Sequence, residues 1–300
     1  MSTPQDQSPL FSFGLITDIQ YADDDDSSVA QGDMHYRASL AKTEEAVAEF
    51  NRHDLAFVAH LGDLVDHDLD NATPVLLRLA GLRAPIRHVL GNHDFYRGPA
   101  ARREVEDRAA LLAGYGLSSA YYGFDVTAGD TTFRFLVLDT NDVGVIAHRR
   151  GSTEHAAGEQ MLEQLRAAGR PNAHPWNGTL GAAQREWLAA ELREADRVGA
   201  VAIAFAHHRA YPDGEHTVLD SAELADWLAG FPALRAWFNG HDHNGAFGRH
   251  RGLPFVTLHG CAMTDRNAFA IARVYPDRIA VAGHGRQPSY DVEIAAPAGG

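Results

Sequence analysis

The chain has 300 residues, 45% of them apolar, which puts it at the upper edge of single-domain size with material for a large core. Its formal charge of −14 argues against a nucleic-acid partner, which needs a basic face. A single cysteine, Cys261, excludes an internal disulfide and suits a reducing compartment.

The N-terminal stretch MSTPQDQSPLF has neither a basic start nor a long apolar run, so no signal peptide is expected. The longest apolar run, VGAVAIAFA, is too short to span a bilayer. These features read as a soluble, cytoplasmic protein with no membrane partner. The first strand-like run, FSFGLIT, stops at Asp18-Ile19-Gln20. Side chains alternate along a strand, so Asp18 and Gln20 are expected on one face. Asp23 to Asp26 reads as a solvated loop, and a stripe of Tyr36, Leu40, Val47 and Phe50 predicts an amphipathic helix. LAFVAHL then ends in Gly62-Asp63-Leu64-Val65-Asp66, and IRHVL ends in Gly91-Asn92-His93-Asp94.

FRFLVLD is a further strand, followed by an irregular stretch at about 145–180 that reads as an insertion near the site. In GAAQREWLAAELREA, Leu188, Leu192 and Ala195 share one helix face. AVAIAFA ends in His207-His208, and RAWFN ends in Gly240-His241-Asp242-His243. The remainder is strand-rich (PFVTLHG, FAIARVY, RIAVAGHG), which suggests an antiparallel section before a frayed tail at 295–300. With no repeat and no linker, residues 1–300 read as one domain whose alternating strands and helices form an α/β layered fold.

Five of the apolar runs end in oxygen or imidazole donors, and ligands of open α/β sheets sit beyond the carboxyl ends of strands. Each cluster alone has a plain structural explanation. Asp63 could cap a helix, Asn92 could be a turn residue, and His207 could be a satisfied core histidine. His241 and His243 are a stronger signal, because two residues apart on a strand puts both imidazoles on one face. Glycines before Asp63, Asn92 and His241 suit sharp turns that expose the next side chain. Together the clusters read as a metal site. Asp18, Gln20, Asp63, Asn92, His207, His241 and His243 are too many donors for one four- to six-coordinate ion, which suggests two ions about 3.5–4 Å apart with Asp63 as the shared carboxylate.

The motifs Asp18-x-Gln20, Gly62-Asp63-x-x-Asp66, Gly91-Asn92-His93-Asp94, a later His and Gly240-His241-x-His243, in that order, resemble the calcineurin-like metallophosphoesterases. The stretches DIQYAD, HYRASLAKTEEAVAEFN, FRFLVLDTND, WNGTLGAAQREWL, GHDHNG and VYPDRIAVAGHGR are similar to the manganese-dependent ADP-ribose/CDP-alcohol diphosphatase group within it. The resemblance implies a four-layer αββα sandwich of two mixed sheets flanked by helices. It implies one ion on Asp18, Gln20, Asp63 and His243 and the other on Asp63, Asn92, His207 and His241. It also implies His93 as the catalytic histidine, supported by Asp66. FAHHRAYP departs from the pattern, which commonly has Ser-His, an apolar residue and Pro; His207 rather than His208 is the ligand chosen here. Gln20 stands where many of these enzymes have histidine. A harder oxygen donor there favours Mn²⁺ over Zn²⁺, with Fe²⁺ and Co²⁺ as further candidates.

The expected reaction is hydrolysis of the phosphoanhydride in a small anionic nucleotide-type substrate, a nucleoside diphosphate linked to a sugar or alcohol. Arg37, in HYR, is a candidate phosphate contact, with a surface helix position as its plain alternative. Phe247, in NGAFG after the ligand His243, is a candidate stacking surface for the nucleobase, or else a buried sheet residue. Two other readings compete: a phosphodiesterase acting on cyclic nucleotides or glycerophosphodiesters, and a non-catalytic scaffold, against which the intact donor set argues. Oligomeric state, physiological substrate and the ion loaded in the cell are not legible in the sequence.

Overall fold

Two six-stranded mixed sheets lie face to face. The structure, a computed structural model, describes residues 8–97, 104–105 and 107–294, so the tail at 295–300 lies outside the described residues. In the first sheet the order is Tyr290–Glu293, Arg278–Gly285, Ala268–Val274, Phe11–Ile16, Val58–His60 and Ile86–His88. The last three run parallel, and the C-terminal strands join them antiparallel, as the strand-rich last third of the sequence suggests. In the second sheet the order is Asn244–His250, Leu253–His259, Leu234–Asn239, Val201–Phe205, Thr131–Val137 and Tyr122–Ala128, with the central four parallel.

Burial follows the two-residue period of each strand. Phe13 and Leu15 face the space between the sheets, while Ile16 packs on the outer side. Ile203 and Phe205 likewise point inward, and Ala202 and Ala204 point outward. Both faces are covered, which is why these runs are continuously apolar rather than alternating. The inter-sheet core is aromatic: Phe13 stacks on Phe57 with centroids 4.9 Å apart, and Phe135 on Phe205 at 5.5 Å. Truncating one such ring to alanine would cost about 3–5 kcal/mol.

Helices cover both outer faces and complete four layers. Ser39–Phe50 and Ala72–Leu79 bury Val47, Phe50, Val75 and Leu79 on the first sheet. Gly14 admits this packing, because a Cβ there would meet the Phe50 ring at 2.9 Å. Ala182–Val198 and Ser221–Leu228 bury Leu188, Leu192, Ala195, Leu224 and Leu228 on the second sheet. The first helix starts later than its stripe predicts: Tyr36 precedes it and is buried in a small cluster with Ala22, Met34 and Met263. Within 145–180, Thr153–Ala167 is a helix whose Ser152 cap accepts the His155 amide. Among the described residues no helix is long and apolar enough to cross a membrane. The architecture is the αββα sandwich that the resemblance implies, and both sets of parallel strands deliver their carboxyl ends to one edge of it.

Candidate metal centre

The strands stop before the donors begin. Phe11–Ile16 ends two residues short of Asp18, and Leu234–Asn239 ends two residues short of His241. Strand alternation is therefore not what aims Asp18 with Gln20 or His241 with His243, which corrects the reading from spacing. Asp18, Gln20, Asp63 and His241 instead adopt positive φ of 49°, 41°, 55° and 68°. Left-handed backbone costs a residue with a Cβ roughly 1–2 kcal/mol, so each must be held in place. Interlocked loops hold them. The Asp18 amide donates to Gly62 O and the Gln20 amide to Asp63 O, both at 3.0 Å. Asp94 is a clamp beneath them. Its carboxylate accepts from the amides of Asp63 (3.1 Å), Leu64 (2.8 Å) and Gly91 (2.8 Å) and from the Tyr115 hydroxyl (2.8 Å).

The glycines act through space as much as through conformation. A Cβ on Gly91 would lie 2.0 Å from Asp63 Oδ1, and one on Gly240 would lie 1.9 Å from Thr17 Oγ1. Gly62 needs its freedom too: its φ is +99°, and a Cβ there would lie 2.4 Å from His207 Nδ1.

The donor atoms converge. His207 Nε2 lies 3.2 Å from Asp63 Oδ2 and 3.1 Å from Asn92 Oδ1, and His243 Nε2 lies 3.5 Å from Asp18 Oδ1. Asp63, His207 and His241 each present a ligand atom within 4.8 Å of the others. Hydrogen bonding fixes which ring nitrogens face inward. His207 Nδ1 meets Leu61 O at 2.8 Å, an acceptor, so Nδ1 carries the hydrogen and Nε2 turns its lone pair to Asp63 and Asn92. Asn177 donates through Nδ2 to the carbonyls of Asn172 and Glu215, so its Oδ1 accepts from His241 Nε2 at 3.1 Å and leaves His241 Nδ1 as the ligand atom. His208 has both nitrogens engaged, by Thr140 Oγ1 at 2.7 Å and Trp176 O at 2.9 Å.

Acceptors facing acceptors in a buried site call for a cation between them. Without one, the proton takes that place: burial pulls His207 down, but Asp63 outweighs it and raises the imidazole to about 9. Burial pushes Asp18 up, yet His243 and His207 hold it at about 2. Gln20 Oε1 is buried with no hydrogen-bond partner, while its Nε2 donates to Asp66 at 3.4 Å. A buried amide oxygen left without a partner fits a hard divalent ion.

His93 lines the cleft above these donors. Its Nδ1 lies 2.8 Å from Asp66 Oδ1, and its amide donates to Asp63 Oδ1. Burial pushes Asp66 up, and the neighbouring His93 outweighs this to hold the carboxyl at about 2. The cleft, of about 630 Å³, is lined also by Tyr96, Trp176, Arg209 and His216, none of which sequence reasoning singled out. Trp176 stacks on His174 with centroids 4.2 Å apart. Two expected substrate contacts lie elsewhere. Arg37 is ion-paired to Asp23 (2.6 Å) and Asp25 (2.7 Å), so the acidic loop holds it on the surface. Phe247 is 41% exposed on the edge strand Asn244–His250 and stacks on Tyr290 at 5.3 Å. Neither is among the residues lining the cleft.

Residues 14–245 match the calcineurin-like phosphoesterase family, and the chain belongs to it. It is 29% identical over 93% of its length to the manganese-dependent ADP-ribose/CDP-alcohol diphosphatase of Bos taurus, covering 93% of that protein. The human protein of the same name is 28% identical over 93% of this chain, with 91% of its own length covered. A crystal structure of a dimetal phosphatase from Danio rerio superposes with a TM-score of 0.82 at 26% identity, over 96% of this chain and 100% of that one. The protein is thus a metal-dependent phosphohydrolase.

Proposed function

We propose that this calcineurin-like phosphoesterase hydrolyses the phosphoanhydride of a nucleoside diphosphate joined to a sugar or alcohol, of the ADP-ribose and CDP-choline type. The products are a nucleoside monophosphate and a phosphorylated sugar or alcohol. The observation that carries this reading is the set of converging acceptors on the floor of a 630 Å³ cleft whose walls include Tyr96, Trp176 and Arg209. The names of the related proteins support the substrate class.

Asp18, Gln20, Asp63 and His243 would hold one divalent ion, and Asp63, Asn92, His207 and His241 the other, with Mn²⁺ favoured by the Gln20 oxygen. When bound, such ions supply an activated water near neutral pH and neutralise phosphoryl oxygens. Asn177 and the Leu61 carbonyl fix the tautomers of His241 and His207, so each ring meets its ion with a lone pair. Asp66 fixes the His93 ring through Nδ1, and Nε2 meets the substrate, donating to a phosphoryl oxygen or to the leaving phosphate. Trp176 and Tyr96 give the nucleobase an aromatic wall. A panel of ADP-ribose, CDP-choline, cyclic AMP and bis(p-nitrophenyl) phosphate, assayed with added Mn²⁺, tests the proposal. Preference for the first two supports it, and turnover of only the last two would replace it with the phosphodiesterase reading.

A further inference from the structure

Several cleft side chains have no part in the roles above, and one of them is an arginine. Arg209 is the only lysine or arginine among the described residues lining the cleft, in a chain of formal charge −14. It follows the donor His207 by two residues and is only 7% exposed. Nη1 donates at 2.6 Å to Oδ2 of Asp242, the residue between His241 and His243. The guanidinium is thereby tied to the turn that carries two metal donors. Asp242 is its one side-chain hydrogen-bond partner among the described residues, and its Nε is buried with none. A buried N–H without an acceptor is costly unless something else arrives to accept, and the fork has further N–H groups to offer beside it. The guanidinium is closely seated: a Cβ on Gly214 would lie 2.4 Å from Nη2.

We propose that Arg209 is a specificity-determining residue that binds the phosphoryl group of a diphosphate lying farther from the metal centre, so that the cleft selects diphosphates over simple phosphodiesters. The inference rests on the proposed substrate class. A guanidinium presents a planar fork that matches phosphate oxygens and cannot lose its charge, and Asp242 fixes the plane of that fork. It also explains how a strongly acidic chain holds the second phosphate of an anion, since the acidic neighbours Asp242 and Glu215 would otherwise repel it.

The test uses Arg209→Lys and the double variant Arg209→Met/Asp242→Asn, which leaves no unpaired carboxylate behind. Two readouts are taken on Mn²⁺-loaded enzyme. The first is the ratio of kcat/KM for ADP-ribose to that for bis(p-nitrophenyl) phosphate. Charge-assisted hydrogen bonds predict a fall in this ratio of about 30-fold or more in the double variant, and of about 10-fold in Arg209→Lys, which keeps the charge but not the fork. The second is calorimetric binding of α,β-methylene-ADP against AMP, a preference the wild type should show and the double variant should lose. A turnover ratio within threefold of wild type, or a binding preference that survives the double variant, overturns the inference even if ADP-ribose is a good substrate. If the wild type cleaves only the diester, the substrate reading and the selectivity assigned to Arg209 fail together, and a binding preference that still depends on Arg209 would leave only a phosphoryl contact there.

Discussion

Asp94→Asn changes one atom in the clamp beneath the centre, and its cost can be worked from the four hydrogen bonds the carboxylate accepts. Oδ2 takes the amides of Asp63 and Gly91, and Oδ1 takes the Leu64 amide and the Tyr115 hydroxyl. An asparagine can sit two ways. With its NH₂ toward Asp63 and Gly91, two buried amides face a donor. With its NH₂ toward Leu64 and Tyr115, the phenol can accept instead of donate, and only the Leu64 amide is orphaned. The second arrangement is cheaper, and one unsatisfied buried N–H costs about 1–3 kcal/mol. The orphaned Leu64 amide belongs to the peptide that follows Asp63, so its loosening frees the backbone that holds Asp63 at φ 55°, a conformation that costs roughly 1–2 kcal/mol. Because about 1.4 kcal/mol is a factor of ten in affinity, Mn²⁺ should bind Asp94→Asn about tenfold more weakly. Urea unfolding of the metal-free protein should lose about 2 kcal/mol. The two assays are equilibrium denaturation with chelator present and calorimetric Mn²⁺ titration. Stability within 0.5 kcal/mol of wild type together with native Mn²⁺ affinity would refute the idea that Asp94 maintains the geometry of Asp63.

Replacing Gln20 with His should keep metal binding but move the preferred activating ion from Mn²⁺ toward Zn²⁺, Fe²⁺ or Co²⁺, as read by activity after reconstitution with each; an unchanged preference would undo the ligand-hardness argument. His93→Ala should keep its metal content by elemental analysis and lose about 10²–10⁴-fold in kcat, whereas loss of metal would make His93 a ligand. In ¹⁸O-labelled water, ADP-ribose should give labelled AMP and unlabelled ribose 5-phosphate, because the aromatic wall at Trp176 seats the nucleoside beside the donors; label in the sugar phosphate would reverse the orientation.

The layered fold was legible because its strands are buried on both faces and so read as unbroken apolar runs. Tyr122–Ala128 escaped notice although it carries the period-two signal: Tyr122, Phe124, Val126 and Ala128 pack on the inter-sheet core between more exposed residues. The donor types were legible because each follows an apolar run. How they are aimed was not, since left-handed backbone at Asp18, Gln20, Asp63 and His241 is stabilised by loops distant in sequence. Asn177 and His241 stand 64 residues apart, and nothing local announces their hydrogen bond. Arg37 and Phe247 show the converse. Arg37 was chosen from the family-like stretch HYR and Phe247 for its nearness to His243 along the chain, yet ion pairing to Asp23 and Asp25 and stacking on Tyr290 hold them elsewhere. Arg209 carried one signal, the departure of FAHHRAYP from the family pattern, and only the fold shows that this departure reaches the cleft.

The central claim is that seven side chains from five loops form one two-ion centre through Asp63, and metal content tests it most directly. Protein purified without chelator, loaded with Mn²⁺ and freed of excess ion, should carry two ions per chain by elemental analysis. Asp63→Asn, folded by circular dichroism, should carry none after the same treatment, because its bridging carboxylate serves both positions. A single ion in fully active wild type, or two ions retained by Asp63→Asn, would contradict the account.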